Sequence, residues 1–473
     1  MQFHVLSFEG PDAYSRVGGL TTRVEGLTET LAGLGFDTHL WFIGDPDLPG
    51  HETRGTLHLH RWAQWVSRFH TSGVYDGELG KQREFAASLP SYLLRNVLLP
   101  HLQRGGRAAI LAEEWQTVGA VLSLHRLLEQ AGVRERVAML WNANNVFGFE
   151  GFDWARLSQA AVITTVSRYM KHLMRAYRVD PLVIPNGLGS DAFDPPERWA
   201  CTEFRLRFRH RMAVAKMARW DPAKRWLGTV EIVAEMKRAG WHPILIARGG
   251  SEPHGTEILA AMEAHGLRRT DREWKQPGAG GLLEALRDLE RVDVVNLLSA
   301  VDPAARRLLF RSADAVLANS QHEPFGLVGL ETMAAGGIAC TGCSGEDYAA
   351  PGENALVLET ENPREFLRLF HRLRSQPHDA ASLRRAGQRT AKRFAWSQVV
   401  ERVLLPRVEL AYDRNPAVDS GVGFLARPPA TNRMNGKPAR HAATRRTGKG
   451  GRSPGKLAIL PALPAEASAS VTT

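Results

Sequence analysis

The segment ANSQHEPFGLVGLETMAAGGIAC, residues 318–340, decides the fold of this chain and carries its clearest chemical signal. It follows an apolar, strand-like run and is predicted to open a helix near Phe325. Glu323 then falls in the loop at the carboxyl end of the strand, and Glu331 lies two turns into the helix. Amides at a helix N-terminus favour an anionic or hydroxyl-rich ligand, and two carboxylates on one face accept hydrogen bonds from hydroxyls. The segment therefore predicts a ligand site with backbone amides from Phe325, Gly326 and Leu327.

Strand-like and helix-like runs alternate on both sides of this segment. A chain of 473 residues exceeds what one hydrophobic core normally supports, so two domains are expected. The alternation predicts an α/β protein with two Rossmann-like, doubly wound domains, whose ligands bind outside the carboxyl ends of parallel strands. Residues 186–210 contain Asn-Gly, Asp-Pro-Pro and several Arg, which indicates an interdomain linker. The predicted boundaries are 1–190 for the first domain, 205–393 for the second, 394–412 for a terminal helix and 413–473 for a tail.

A second pattern, KMARWDPAKRW at residues 216–226, places two cations around a turn that follows a strand. Arg219 and Lys224 are five positions apart across the Asp-Pro-Ala-Lys sequence. Two such cations neutralise the charge that accumulates on a leaving diphosphate. The pattern therefore predicts an anion site in the same half of the chain as Glu323.

Two patterns in the first half complete the set of candidate residues. Gly18 and Gly19 lie between the first strand and the first helix, where bare backbone can approach a phosphate. The sequences EEWQT and WNANN follow later strands and offer polar groups for sugar hydroxyls. These candidate acceptor or sugar contacts are Glu114, Trp115, Asn142, Asn144 and Asn145.

Each pattern has a purely structural alternative that the sequence leaves open. Glu323 would only cap its helix, with Glu331 solvated, and the two cations would be ordinary surface residues. The two glycines would only form a tight turn, and the asparagines would only stabilise turns. Gly326, inside the first turn, permits close approach of a ligand and favours the binding interpretation of the first pattern.

The formal charge of +10 is concentrated at one end of the chain. Residues 413–473 contain ten Lys or Arg against three acids, a net charge of +7, which leaves +3 for residues 1–412. The composition of this tail predicts a disordered, solvated extension without a catalytic role. An electrostatic contact with a polyanion or a membrane is the alternative, and no specific nucleic-acid recognition is expected.

Three cysteines cannot form a disulfide framework, and the chain opens directly into a strand-like run without the layout of a signal peptide. No apolar stretch reaches about 20 residues. The expected location is the cytoplasm, with peripheral contact at the inner membrane face as an alternative. The stretch SYLLRNVLLPHLQRGGR, residues 91–107, is predicted to be a core helix, or else a membrane-contacting one.

The pair Glu323 and Glu331, in the string EPFGLVGLE, closely resembles the E-x7-E motif of the glycogen-synthase-like glycosyltransferases, family 4 and its relatives. The segments RWDPAK, RVGGL, EEWQT and SGEDYAAPGENALVLE resemble further motifs of this group, so the resemblance spans about residues 1–412. It implies a GT-B fold, with two Rossmann-like domains facing a central cleft and a terminal helix that crosses back. It also implies that Glu323 contacts the transferred sugar and Glu331 the donor ribose.

The resemblance further implies a retaining hexosyltransferase that uses an ADP-, UDP- or GDP-linked sugar as co-substrate and no other cofactor. Glucosyl is the preferred group, and the acceptor is a glycan, a lipid or a small molecule. No metal ligand is assigned, because no DxD pair adjoins the motifs and Arg219 with Lys224 supplies the positive charge. Relatives often have a histidine near the reacting centre where this chain has Glu113 and Glu114, so a catalytically silent nucleotide-sugar binder stays open. A glycan phosphorylase, which shares the architecture, is the other alternative.

Overall fold

The structure, a computed structural model, describes residues 1–413. The predicted basic tail, apart from Asp413, lies outside the described residues. Two sheets, one parallel and one parallel except for an edge strand, are each covered by helices on both faces and account for the described part. The α/β class and the two Rossmann-like domains predicted from the alternation are confirmed.

The first domain is built on an eight-stranded sheet with the order β3-β4-β2-β1-β5-β6-β7-β8. Its strands are parallel except β3, which pairs antiparallel with β4 at the edge. Because the strand order reverses between β1 and β5, this is the point where a doubly wound sheet opens a crevice at its carboxyl ends. The strands are β1 Gln2–Leu6, β2 Asp37–Ile43, β3 His51–Arg54, β4 Leu57–Trp62, β5 Ala108–Glu113, β6 Val137–Ala143, β7 Val162–Thr165 and β8 Leu182–Val183.

Helices connect these strands and bury their apolar faces on the sheet. The strands are buried along nearly their whole length because helices cover both faces, which explains their continuous apolar runs. The helices of this half are α1 Gly19–Gly33, α2 Gln64–Ser67, α3 Glu78–Leu93, α4 Leu99–Gln103, α5 Val118–Gln130, α6 Trp154–Ala160 and α7 Arg168–Met174.

The stretch at residues 91–107 belongs to the core of the first domain. It forms the end of α3, a π-helical turn at Leu94–Leu98 and α4. Leu93, Leu98 and Leu102 are fully buried in the main core cluster, as a core helix requires. In the described part of the chain, no helix combines the length and the apolar character needed to cross a bilayer.

The second domain is a seven-stranded parallel sheet with the order β11-β12-β10-β9-β13-β14-β15, reversing between β9 and β13. Its strands are β9 Met212–Met217, β10 Pro243–Arg248, β11 Arg269–Arg272, β12 Val294–Leu297, β13 Ala315–Ala318, β14 Ala339–Thr341 and β15 Leu356–Val357. Its helices are α8 Arg198–Arg207, α9 Trp226–Arg238, α10 His254–Ala264, α11 Gly278–Ala285, α12 Pro303–Ser312, α13 Leu327–Ala334, α14 Pro363–Ser375 and α15 Pro377–Lys392.

The linker expected at residues 186–210 is shorter than the sequence indicates. Its second half forms α8, which buries Ala200 and Phe204 in the core of the second domain. The exposed arginines of this helix had suggested a solvated segment, but they lie on one face while the apolar residues pack on α11 and α12. The second domain therefore begins near Arg198 rather than at residue 205.

The last helical segment returns from the second domain to the first. It consists of α16 Trp396–Val399, a π-helical turn at Val400–Leu404 and α17 Leu405–Asp413. Trp396, Val400 and Val408 are buried in one cluster with β1 and β2 of the first sheet. A backbone bridge between Leu188 and Ala395 ties the outgoing linker to the returning segment.

Candidate functional site

The reversal point of the second sheet brings the two strongest sequence patterns together. Lys224 follows β9 and Glu323 follows β13, the two strands that flank the reversal. The Lys224 Nζ donates to Glu323 Oε2 at 2.6 Å, and each side chain is about one-fifth exposed. Asp221 holds the turn by accepting a hydrogen bond from the Ala223 amide, which directs Lys224 back toward the sheet edge. A cation and a carboxylate thus share one crevice at the carboxyl ends of parallel strands.

Arg219 lies at the same sheet edge but, unlike Lys224, is largely exposed to solvent. Its side chain is 71% exposed and approaches the Asp221 carboxylate at 3.9 Å. Its backbone carbonyl accepts a hydrogen bond from the indole of Trp226, so the main chain is anchored while the guanidinium extends into solvent. Arg219 therefore lies beside the Lys224–Glu323 pair without contacting Glu323.

The start of α13 differs in one respect from the sequence expectation. The helix begins at Leu327, with Gly326 as its N-cap, rather than near Phe325. Glu331 consequently lies one turn into the helix, not two, and pairs with Arg306 of α12 at 3.6 Å. Burial raises the pKa of the Glu331 carboxyl, which Arg306 opposes. With one loose ion pair, this carboxyl retains acceptor capacity for hydroxyl groups.

A glycine-rich loop closes over the Glu323 segment. The Ser344 hydroxyl accepts a hydrogen bond from the Glu323 amide at 3.0 Å, and the Tyr348 hydroxyl donates to the Gly326 carbonyl. A Cβ on Gly345 would lie 2.0 Å from the Glu323 carbonyl oxygen, so only glycine allows this approach. The two segments hold each other in place around the crevice.

Glu346, in the same loop, is a residue that the sequence patterns did not single out. Burial and the nearby Glu323 charge raise the pKa of its carboxyl to about 7. Its Oε1 is buried without a hydrogen-bond partner among the described residues, while Oε2 accepts from the Ser344 amide. A buried, unsatisfied carboxyl oxygen beside the Lys224–Glu323 pair requires a partner such as a ligand hydroxyl. The string SGEDY gave no signal for it beyond its glycine.

The reversal point of the first sheet carries the other predicted residues. Gly18 and Gly19 cap α1, and both face open space where a Cβ would meet no neighbour. Part of the helix N-terminus is already occupied, because Glu9 accepts hydrogen bonds from the amides of Gly18 and Thr21 and from the Thr21 hydroxyl. Thr21 therefore bonds within the protein and does not line the open face at the two glycines. Glu9, in the loop that follows β1, was not identified from the sequence.

Glu113, at the end of β5, is fixed by a buried ion pair. Arg23 of α1 donates from Nε to both Glu113 oxygens, at 2.9 and 3.0 Å, and from Nη1 to the Asn186 side-chain oxygen. Asn142 donates to Glu113 and accepts from the Thr164 hydroxyl, so both ends of its amide are bonded within the protein. Asn142 is therefore a positioning residue, which corrects its assignment as a sugar contact.

Glu114, the next residue, occupies a strained backbone position. Its φ and ψ are 67° and 168°, a region that is otherwise populated essentially by glycine. The carboxylate is buried and accepts from the Asn144 amide at 2.6 Å and from the Asn145 side chain at 2.9 Å. Burial raises its pKa to about 7, to which the neighbouring Glu113 charge adds. Strain and a titration near neutral pH are both typical of functional positions.

The remaining predicted contacts surround Glu114 at the mouth of the crevice. The ring of Trp115 packs against that of the exposed Phe147, with 5.8 Å between the ring centroids. Asn144 and Asn145 are exposed or half-buried, but their amides bond the two glutamates. The structure thus gathers Glu114, Trp115, Asn144 and Asn145 in one place, with the asparagines holding carboxylates.

The two crevices belong to neighbouring parts of one molecule. The Asp347 carboxylate accepts from the Arg168 amide at 2.6 Å, and the Tyr169 hydroxyl lies 3.1 Å from His322 Nδ1. These contacts join the helix after β7 of the first domain to the loops around Glu323 of the second. The carboxyl-end loops of the two domains therefore meet.

Two Rossmann-like domains whose carboxyl-end loops meet, with a crevice at the strand-order reversal of each sheet, are the architecture of the GT-B class of proteins. Comparisons with known proteins agree with this class. Residues 17–191 match the family described as Glycosyltransferase Family 4, and residues 281–392 match Glycosyl transferases group 1. The two matches support a GT-B glycosyltransferase of family 4 or its relatives.

Curated relatives are similar over part of the chain. A D-inositol 3-phosphate glycosyltransferase of Segniliparus rotundus is 25% identical over 238 residues, 49% of this chain and 48% of that protein. A protein of the same name from Thermomonospora curvata is 28% identical over 116 residues, 24% of this chain and 27% of that protein. The chain thus matches about half or less of the length of these relatives.

Solved structures are similar in fold over most of the chain. Sucrose-phosphate synthase from Thermosynechococcus elongatus has a TM-score of 0.62 at 17% identity, covering 88% of this chain and all of that one. HepE from Anabaena, solved with UDP and glucose, has a TM-score of 0.56 at 14% identity, covering 86% of this chain and all of that one. At these identities the likeness concerns the fold alone, and it confirms GT-B.

Proposed function

We propose that this protein is a retaining glycosyltransferase that moves a hexosyl group from a nucleotide-diphosphate sugar to an acceptor. The observation that carries the proposal is the contact of Lys224 with Glu323 at the reversal point of the second sheet. It joins a cation for a diphosphate and a carboxylate for sugar hydroxyls in the crevice where α/β sheets bind nucleotides. Glucosyl is the proposed group, supported by the likeness of the motifs to the glycogen-synthase-like group.

Each donor-side residue has a proposed role that follows from its surroundings. Lys224 and the exposed Arg219 neutralise the charge that grows on the departing diphosphate, and no step requires a divalent metal. Glu323 accepts hydrogen bonds from the transferred sugar, and Glu331 accepts them from the ribose. The backbone amides of Phe325, Gly326 and Leu327, at and just before the start of α13, are the proposed donor-binding amides. The unsatisfied oxygen of Glu346 is a further acceptor for donor hydroxyls.

On the acceptor side, Glu114 is the residue proposed to handle the acceptor proton. A carboxyl with a pKa of about 7 exchanges protons near neutral pH, which an ordinary glutamate does not. Gly18 and Gly19 leave backbone open to the donor phosphates or to a charged acceptor. The curated relatives are named for inositol phosphate and a solved neighbour for sucrose phosphate, so phosphorylated small polyols are the first acceptors to test.

Thermal stabilisation by nucleotides tests the donor site directly. The full-length protein is heated with ADP, UDP, GDP and their hexose conjugates, in parallel with Arg219→Ala and with Arg238→Ala as the control. Arg238 is an exposed arginine of α9 that pairs with Glu235. Its replacement removes the same single positive charge as Arg219→Ala but lies away from the crevice. We expect one nucleotide to raise the melting temperature of the parent and the control but not of Arg219→Ala.

Turnover separates the proposal from its alternatives. Release of nucleotide from the stabilising conjugate, with phosphorylated polyols, glucans and lipids as acceptors, is expected to persist in a chelator. Donor binding without turnover on any acceptor would instead indicate a silent binder. An absorbance band of bound pyridoxal phosphate would indicate a phosphorylase, and activity abolished by chelator and restored by Mg²⁺ would contradict the metal-free step.

A further inference from the structure

A row of histidines crosses the first sheet on one face, far along the strands from the proposed reaction centre. The residues of this face come from alternate positions on adjacent strands, so their side chains point the same way. The ring of His39 stacks between those of His4 and His58, with centroids 4.7 and 4.5 Å apart. We call these residues the histidine face: His4 on β1, Asp37 and His39 on β2, His51 on β3, and His58 and His60 on β4.

Three of these side chains converge on one point. Asp37 Oδ1 lies 3.4 Å from His39 Nε2 and 3.1 Å from His58 Nε2. One ligand atom from each of the three lies within 4.8 Å of the others. A tetrahedral metal ion with bonds of about 2.0–2.1 Å holds its ligand atoms about 3.3 Å apart. The spacing of the carboxylate from both imidazoles therefore matches that of ligands around one ion.

The opposite ring nitrogens of both histidines are already held. His39 Nδ1 lies 2.9 Å from His60 Nε2, and His58 Nδ1 lies 3.1 Å from the Thr53 hydroxyl. Metal-ligating histidines almost always have such a partner on their second nitrogen, which fixes the ring orientation and tautomer. Both rings are thus arranged with their Nε2 atoms toward Asp37.

Gln2 supports the third side chain. Its amide nitrogen donates to Asp37 Oδ2 at 2.7 Å, which leaves Oδ1 directed at the two imidazoles. The same nitrogen lies 3.0 Å from His39 Nε2. A bound ion would replace this contact with His39, while the hydrogen bond to Asp37 Oδ2 stays. Gln2 thereby orients the carboxylate as a hydrogen-bonded outer residue does in metal sites.

The cluster is accessible to a cation. His58 is half-buried and the Asp37 side chain is 46% exposed, so an ion has a path from solvent. A fourth coordination position would then be open to water.

We propose that Asp37, His39 and His58 form a binding site for a divalent transition metal ion of the zinc type. Imidazole nitrogen with one carboxylate oxygen is a ligand set that suits Zn²⁺ and its neighbours rather than Mg²⁺ or Ca²⁺. Asp37 begins β2, whereas the reaction crevice lies at the carboxyl ends of the strands. The ion therefore links β2 to β4, the strand between β2 and the edge strand β3, and has a structural role.

The test measures Co²⁺ and Zn²⁺ binding to untagged, full-length protein that a chelator has stripped of metal. Co²⁺ gives visible d–d absorption that is intense in four-coordinate sites, and Zn²⁺ displaces it. The variants are Asp37→Asn and His58→Gln, with His51→Gln as the control on the same face. Asp37 and His58 are partly exposed, so folding is expected to survive and is checked by circular dichroism in metal-free buffer.

We expect one equivalent of Co²⁺ per chain with a four-coordinate spectrum, and a melting temperature that rises with Zn²⁺. Asp37→Asn and His58→Gln should each weaken binding by about tenfold or more, whereas His51→Gln should change it by less. Zn²⁺ should then no longer stabilise the first two variants. Parent protein that binds no Co²⁺, or binding that survives in both variants, would overturn the proposal without affecting the glycosyltransferase assignment.

Discussion

At the residue scale, the ion pair of Lys224 and Glu323 joins two segments that are 99 positions apart in the chain. Both side chains are mostly buried, so the charges are weakly screened and each depends on the other. A departing diphosphate offers Lys224 a second negative partner as it develops charge. The proposed role of this lysine is therefore double: it orients Glu323 in the free protein and stabilises the leaving group during transfer.

We expect Lys224→Ala to lower kcat by about 10²-fold or more, the typical effect of removing one preorganised group that stabilises developing charge. KM for the donor should change less, because the growing charge exists only in the transition state. Steady-state kinetics with the stabilising donor would measure this. Lys237→Ala, which removes a lysine paired with Asp293 elsewhere in the domain, is the control. A larger effect on KM than on kcat would contradict the assignment.

The buried Glu114 predicts a pH dependence of stability with a defined sign. Its pKa is about 7 in the folded protein against 4.5 ordinarily, so between these values the folded state binds more protons than the unfolded state. Stability contributed by this group is therefore present at low pH and is lost as pH rises toward 7. Glu114→Gln removes the titration.

Chemical denaturation of parent and Glu114→Gln at pH 5 and pH 7.5 would measure the effect. The free energy of unfolding of the parent should fall, relative to the variant, by on the order of 1–3 kcal/mol over this interval. Glu129→Gln, an exposed change on α5, supplies the control. Parallel pH profiles for parent and Glu114→Gln would show that Glu114 is ionised throughout.

At the element scale, the loop of residues 342–348 and the segment of residues 319–326 form one unit around the crevice. Glycines set their separation, since a Cβ on Gly342 would lie 2.4 Å from the Ser320 carbonyl and one on Gly345 even closer to Glu323. The obstacle at both positions is backbone, which cannot turn aside as a side chain does. The position of Glu323 therefore depends on the loop as much as on its own strand.

Gly345→Ala should move Glu323 and weaken donor binding while the rest of the fold remains intact. We expect a loss of stability of about 1–3 kcal/mol, typical of overpacking, together with a lost thermal shift by the nucleotide. Gly228→Ala in α9, where a Cβ meets nothing within 4 Å, is the control and should be neutral or stabilising. Unchanged nucleotide affinity in Gly345→Ala would show that the loop does not set the donor site.

The same scale shows what the sequence could predict. The parallel strands were recognisable because they are buried on both faces and form continuous apolar runs, as in β13 and β14. Strand β4 alternates the buried Leu57 and Leu59 with half-buried histidines, so it lacks the continuous apolar run that marked the strands buried on both faces. Helix α8 was missed for a related reason, since it has as many arginines as buried residues, three of each.

Site residues were predictable where one motif contains them and not where distant segments meet. Glu323 and Lys224 each stand in a recognisable local string, and their contact follows from the order of strands at the reversal point. Glu346 and the convergence of Asp37 on His58 depend on which segments fold together. Those partners are set by tertiary packing, which a local pattern does not encode.

At the scale of the whole molecule, Trp396 of the return helix packs against both the first domain and the linker between the domains. Its ring fills space left by Gly26 of α1 and Gly187 of the linker, where a Cβ would lie 2.0 and 2.5 Å from it. Arg23, which pairs with Glu113, stacks over the same ring, and its guanidinium carbon lies 5.9 Å from the ring centroid. The return helix, the linker and the first crevice therefore share one buried contact.

Trp396→Ala should destabilise the protein by about 3–5 kcal/mol, because it opens a large cavity among residues that cannot collapse onto it. Denaturant unfolding followed by circular dichroism measures this directly. Trp199→Ala, which removes a tryptophan that is 58% exposed, is the matched control and should cost far less. A small effect at Trp396 would mean that the return helix does not stabilise the first domain.

Deleting residues 420–473 tests whether the body of the molecule works without its charged extension. The deletion removes nine Lys or Arg and one acid, which lowers the formal charge from +10 to +2. The return helix is kept, including Tyr412, whose hydroxyl donates to the Ala108 carbonyl at 2.5 Å and whose ring packs under Arg107. Both crevices lie in the retained part, so kcat and KM should not change with soluble substrates.

What the deletion should change is salt-dependent attraction to anionic surfaces. Binding of the full chain to anionic vesicles or heparin is expected to weaken steeply as salt rises, since each neutralised pair of charges is screened. The truncated protein should show little binding at any salt concentration. Turnover that falls with the deletion, even with soluble acceptors and full thermal stability, would assign the extension a part in the reaction itself.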